Sequence, residues 1–92
     1  MKPDLDLYFT RPVGSVELPL SVLVPTRARP EGIANAAERM DLAAIGQFTK
    51  RAPIQVADIG SGKYEIVDGN STYAVAAERG WETIRCQIVT RL

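Results

Sequence analysis

Apolar and polar positions change their period several times along the chain, and each change marks an element. The run Val16-Glu17-Leu18-Pro19-Leu20-Ser21-Val22-Leu23-Val24 predicts one strand over 16–24. Pro19 has no backbone N–H to give a neighbour, which places this strand at a sheet edge or a bulge. Residues 25–30, bounded by Pro25 and Pro30, form a stiff connector that carries Arg27 and Arg29. Over 31–48 the period lengthens. Ile33, Ala36, Ala37, Met40, Ala44 and Ile45 recur at three- and four-residue steps and predict a helix. Asp41 is placed to restart this helix as a cap, dividing it in two, and Gly46 weakens its far end. Strand-like runs return over 54–59 and 63–67 with Gly60-Ser61-Gly62 between them, which predicts a hairpin. Beyond Asp68-Gly69-Asn70, a second helix takes Tyr73, Ala74, Ala76 and Ala77 as its apolar face. Gly80 stands where a left-handed cap residue is wanted, with Trp81 placed to fold back on the last turn. A final strand over 84–89 sets Ile84, Cys86 and Ile88 on one face. Residues 1–14, interrupted by Pro3, Pro12 and Gly14, read as an irregular arm that Tyr8 and Phe9 anchor to the body or to a partner. The expectation is an N-terminal arm (1–14) followed by one domain (15–92). Its class is α+β, a small mixed β-sheet with a hairpin and two or three helices.

Composition narrows the chemistry. At 92 residues there is room for a single domain, which buries roughly 60–65% of its unfolded surface. With no histidine and only Cys86, the chain has no intramolecular disulfide and no Cys/His zinc cluster. The usual general base near neutral pH is missing too. No spacing of carboxylates suggests a metal site, and Cys86 reads as a small buried hydrophobe. No run approaches the ~20 apolar residues of a membrane span, and Met1-Lys2-Pro3-Asp4 does not open a signal peptide. A cytoplasmic protein without membrane contact is the expectation. The formal charge is zero, which counts against strong DNA binding by this chain alone. Charge is uneven, however. Residues 26–53 hold five basic groups (Arg27, Arg29, Arg39, Lys50, Arg51) against three acids (Glu31, Glu38, Asp41).

The most informative segment is the passage from strand through Asp68-Gly69-Asn70-Ser71-Thr72 into helix. Glycine allows a tight turn and close approach of a ligand. The helix start then offers unpaired N–H groups and a partial positive charge, and two hydroxyls add donors. A phosphate is well placed there. The plainer reading is that Asn70 or Ser71 caps the helix. Asp68 is the candidate carboxylate for catalysis or magnesium, its plainer role being a turn residue bonded to its own backbone.

Several runs together carry a resemblance. They are Leu18-Pro19-Leu20-Ser21-Val22-Leu23-Val24-Pro25 with Arg27, Arg29 and Pro30, then Ala52-Pro53-Ile54-Gln55-Val56, then Tyr64-Glu65-Ile66-Val67-Asp68-Gly69, Ala76-Ala77, Gly80-Trp81 and Ile84-Arg85-Cys86-Gln87-Ile88-Val89. In this order they resemble the ParB N-terminal/sulfiredoxin-like superfamily over roughly residues 15–90. That resemblance implies the fold, and a nucleotide phosphate held at the glycine turn, with a nucleoside triphosphate and magnesium as the expected cofactors. The superfamily includes partition proteins that bind CTP and DNA, sulfiredoxins, free-serine kinases and nucleases.

The pattern after the superfamily glycine is Gly-x-x-Arg, whereas this chain reads Gly69-Asn70-Ser71-Thr72. Asn70 stands at the reactive cysteine of sulfiredoxins, which removes sulfinic-acid reduction. Thr72 stands at the phosphate-gripping arginine, and a hydroxyl does not supply a bidentate, charged contact. The resemblance therefore implies a phosphate or nucleotide site of Gly69, Asn70, Ser71 and Thr72, with Arg27, Arg29, Lys50 and Arg51 as the candidate cations. Their plainer role is as solvated surface charges. Partition proteins continue into a helical DNA-binding region, so DNA is expected here only with a partner protein. Three readings stay open. One is a stand-alone ParB-like binding module for nucleotide, phosphate or DNA of plasmid, phage or defence type. Another is a magnesium-dependent phosphotransferase or nuclease using Asp68. The third is a ligand-free interaction module that forms a homodimer through the arm and the Pro19 edge strand.

Overall fold

The computed structural model describes residues 2–90, so the last two positions of the expected 15–92 domain lie outside the described residues. Its elements are β1 (Val16–Pro19), β2 (Leu23–Val24), α1 (Pro30–Ala44), β3 (Ile54–Gly60), β4 (Lys63–Asp68), α2 (Asn70–Glu78) and β5 (Thr83–Ile88), with single 3-10 turns at Leu5–Leu7 and Leu20–Val22. The strands form one mixed sheet in the order β1-β5-β3-β4-β2. β3 runs parallel to β5 and antiparallel to β4, β1 is antiparallel to β5, and β2 is parallel to β4. This is the expected α+β architecture, with the hairpin at β3–β4 turning through Ser61 and Gly62, both at positive φ.

The expected single strand over 16–24 is instead two strands at opposite edges of the sheet. Pro19 ends β1, the Leu20 N–H donates to the Glu82 carbonyl (2.9 Å), and the chain turns through Leu20–Val22 before β2 begins. Lys63 Nζ holds this turn by donating to the Ser21 carbonyl at 2.9 Å. In a flat sheet the two edges would be about 19 Å apart, four strand spacings. The four steps from Pro19 to Leu23 reach at most about 14 Å. The sheet is therefore curled, and its edges approach at one end.

The expected break at Asp41 does not occur. α1 is continuous, and Asp41 inside it accepts two bonds from the Arg79 guanidinium (2.8 and 3.0 Å) instead of capping a new start. The helix also stops at Ala44, short of 48, because Gly46 follows at φ +76°. α2 ends as its sequence predicts. The Gly80 N–H donates to the Ala77 carbonyl (3.1 Å) and the Trp81 N–H to the Ala76 carbonyl (3.0 Å), a Schellman closure around a left-handed glycine.

The core lies between the helices and one face of the sheet: Ala36 and Met40 from α1, Val75 and Ala76 from α2, and Ile54, Val56, Ile66, Ile84 and Cys86 from the strands. Burial pushes the Cys86 thiol up to about 12, in keeping with its reading as a small hydrophobe. The N-terminal segment joins this core. Leu5 and Phe9 are buried, and Tyr8 and Phe9 pack on Trp81 with ring centroids 4.9 and 6.4 Å away. Phe9, at 2% exposure, therefore offers no face to a partner. The same segment holds the chain ahead of β3. The Arg51 N–H donates to the Tyr8 carbonyl and the Thr10 N–H to the Arg51 carbonyl, both at 2.8 Å. Among the described residues no helix is long and apolar enough to cross a membrane.

Candidate functional site

β4 delivers the chain to Gly69, whose φ of +107° is open to glycine and strained for other residues. Space imposes the same choice. A Cβ on Gly69 would lie 2.5 Å from Ile54 Cγ2 and 3.2 Å from Ile54 Cα. The glycine thus lets the start of α2 sit directly against β3. Gly69 is itself the N-cap residue and gives no side-chain cap, so the expected capping by Asn70 or Ser71 is not what the chain does. These two residues lie inside the first turn, whose N–H groups keep their donor capacity.

Each of the three residues that follow has a different surrounding. Asn70 Oδ1 accepts from the Thr26 N–H (2.8 Å), and its Nδ2 donates to Thr26 Oγ1 (2.8 Å). Thr26 Oγ1 in turn reaches the Ile66 carbonyl at 3.4 Å. Asn70 thereby fastens the 25–30 connector, with Arg27, over the start of α2. Ser71 faces the start of α1 so closely that a Cβ on Gly32 would meet Ser71 Oγ at 2.9 Å. The N-cap of α1, Arg29, also lacks a side-chain cap, so two positive helix ends lie side by side. Thr72 is 2% exposed, and its Oγ1 accepts from Arg51 Nη2 at 3.4 Å.

Three clefts run together along these helix starts. The first, about 300 Å³, is lined by Phe48, Lys50, Arg51, Asp68, Gly69 and Thr72 among others. The second, about 280 Å³, is lined by Arg27, Arg51 and residues 67–72. The third, about 570 Å³, has Arg27, Arg29, Glu31, Gly32 and Ser71 in its walls. Arg51 is shared by the first two and Arg27 by the last two, so the cations follow one another in the order Lys50, Arg51, Arg27, Arg29. None of the four forms an ion pair with a described residue, whereas Lys2, Arg11 and Arg79 each do. Four cations outside ion pairs, against the carboxylates of Asp68 and Glu31 in the same clefts, stand beside two helix N-termini and make a field suited to an anion with more than one charge.

Every candidate residue singled out in the sequence therefore borders this line of clefts. Asp68 is exposed and lines the first two. Among the described residues no three His, Cys, Asp or Glu side chains gather closely enough to hold a metal ion. Sequence reasoning missed Thr26, Gly32 and Phe48. It also missed the pairing of Arg51 with Thr72, which connects a loop to a helix 21 positions away and leaves no local pattern.

Solved structures place this architecture among known folds. Sulfiredoxin from Arabidopsis thaliana aligns with a TM-score of 0.59 at 24% identity, over 84% of this chain and 85% of its own. A free serine kinase in complex with AMP aligns with a TM-score of 0.66 at 24% identity, over 97% of this chain and 36% of the kinase. C-terminally truncated ParB from Caulobacter crescentus, complexed with CTP-gamma-S, aligns with a TM-score of 0.56 at 21% identity, over 86% of this chain and 46% of its own. No protein-family profile and no curated protein matches the sequence. The chain has the ParB/sulfiredoxin-like fold, and it spans about a third of the kinase chain and just under half of the ParB chain.

Proposed function

We propose that this chain is a cytoplasmic binding module for a phosphate-bearing ligand, a nucleotide held by its phosphates at the glycine turn opening α2. The observation that carries this reading is Arg51. Its guanidinium stands at Thr72, on the uncapped first turn of α2, without a carboxylate partner among the described residues. It brings to that position the charge that the sequence lacks at residue 72. The AMP and CTP-gamma-S in two structures of the same fold support a nucleotide over other phosphate esters. Arg27 and Arg29 extend the positive line for further phosphates. DNA enters this reading only through a partner protein, because the chain carries no net charge.

Asp68 favours a second reading, a phosphotransferase or nuclease. Magnesium is usually held by one or two carboxylates together with substrate phosphates, and Asp68 fits as one such ligand beside the turn. The ion would shield phosphate charge, while Asp68 would hold it or take a proton. A thermal-shift panel of CTP, ATP, GTP, their diphosphates and inorganic phosphate, with and without magnesium, tests the first reading. A ligand at a hundred times its dissociation constant stabilises by about 2.7 kcal/mol, roughly 10–20 °C for a domain this small. No shift with any of them refutes it. Magnesium-dependent turnover that disappears in Asp68→Asn establishes the second.

A further inference from the structure

The first cleft has a wall that a phosphate does not need. Phe48 stands in the loop between α1 and β3, 48% exposed, outside the core and without an aromatic ring packed on it among the described residues. It lines the same cleft as Arg51, Gly69 and Thr72. That cleft, about 300 Å³, reaches the volume of a small-molecule site, of which a lone phosphate with its five heavy atoms fills only a part. Arg27 and Arg29 do not line the cleft of Phe48 but the two clefts that follow it, joined to it through the shared Arg51 and Arg27.

Resting on the nucleotide reading above, we propose that Phe48 is the base platform of this site. The nucleobase stacks on the Phe48 ring, the first phosphate sits at Gly69–Thr72 under Arg51, and the remaining phosphates point towards Arg27 and Arg29. Tyr73, which lines a cleft on the connector side of α2, is the competing aromatic, but it is packed against the core and presents less of its ring. An aromatic π face stacks any base, so Phe48 adds affinity for nucleotides as a class and discriminates against bare polyphosphate.

The test compares ATP, CTP and GTP with inorganic tripolyphosphate by titration calorimetry, on the wild type and on Phe48→Leu, Phe48→Tyr and Tyr73→Leu. The wild type binds the nucleotides about tenfold or more tighter than tripolyphosphate. Phe48→Leu keeps the apolar bulk but removes the π face. It abolishes that difference and leaves tripolyphosphate affinity unchanged, while Phe48→Tyr keeps the difference. A preference that survives Phe48→Leu, or that falls only with Tyr73→Leu, overturns the base platform and leaves the phosphate site standing. Equal wild-type affinity for nucleotides and tripolyphosphate does the same. If neither class binds, the nucleotide reading itself fails and the platform with it.

Discussion

Arg51 and Thr72 meet in the wall of the cleft, the guanidinium donating to the Thr72 hydroxyl at 3.4 Å. Thr72 is fixed by α2, and Arg51 by backbone bonds from both sides to Tyr8 and Thr10. The N-terminal segment thus acts on the site through packing: Phe9 and Tyr8 dock on Trp81, and their backbone sets where Arg51 stands.

Arg51→Ala removes a charge-assisted contact of about 1.5–3 kcal/mol, so nucleotide affinity falls roughly 10- to 150-fold. Arg51→Lys restores part of it as a point charge without the planar fork. Calorimetric titration of the three proteins checks this. The melting temperature in the absence of ligand falls modestly, because Arg51→Ala breaks no ion pair among the described residues but removes the donor to the buried Thr72 hydroxyl.

Gly69→Ala meets both a left-handed backbone and the Ile54 side chain at 2.5 Å. Backbone strain of about 1–3 kcal/mol and overpacking of about 1–3 kcal/mol add, so stability falls by at least about 2 kcal/mol. Urea unfolding reads this as a lower midpoint with an unchanged slope. Because the α2 start is displaced from β3, nucleotide binding is lost even where the protein remains folded.

The Asp41–Arg79 bridge joins the last turn of α1 to the C-terminal end of α2. The hydrogen bond from Arg79 holds the Asp41 carboxyl below its ordinary value of 3.8. A depressed carboxyl stabilises the fold above its unfolded pKa, and that contribution disappears as pH falls through the folded value. The stability difference between wild type and Asp41→Asn is therefore flat from pH 7 to pH 5 and shrinks below about pH 4. It is small throughout, under about 1 kcal/mol, since the Asp41 side chain is 59% exposed. Chemical denaturation at each pH checks the trend.

Cys86 gives a report on the core. Its thiol is fully buried and pushed up to about 12 by desolvation, so at pH 8 it stays protonated and shielded. Labelling with a thiol reagent under native conditions is slow and follows global opening. In urea above the unfolding midpoint it proceeds at the rate of a free cysteine.

Much of the fold was legible because its signals are local. The β3–β4 hairpin, the Gly80–Trp81 closure and the burial of Ile84 and Cys86 on one face of β5 each follow from a few adjacent residues, although Ile88, expected on that face, is 44% exposed at the strand end. The 16–24 run misled because two short strands with a turn between them carry the same apolar density as one strand. Only Pro19 and the distant partners of each half, β5 and β4, separate them. Asp41 misled because a cap residue and a helix-internal acid look alike until Arg79 is placed beside it. At the site, the glycine turn and the nearby cations were readable. The fastening of Thr26 by Asn70 and the approach of Arg51 to Thr72 were not, since both are long-range contacts.

A ligand seated at the glycine turn is reported directly by the backbone amide resonances there. A nitrogen–proton correlation spectrum of labelled protein, titrated with ATP or CTP and magnesium, follows Asn70, Ser71 and Thr72. These amides are expected to shift in a saturable way, together with that of Arg51, and in Arg51→Ala saturation takes roughly 10- to 150-fold more nucleotide. Saturable binding that leaves the three amides unmoved, or no response to any nucleotide, contradicts a nucleotide site at this turn.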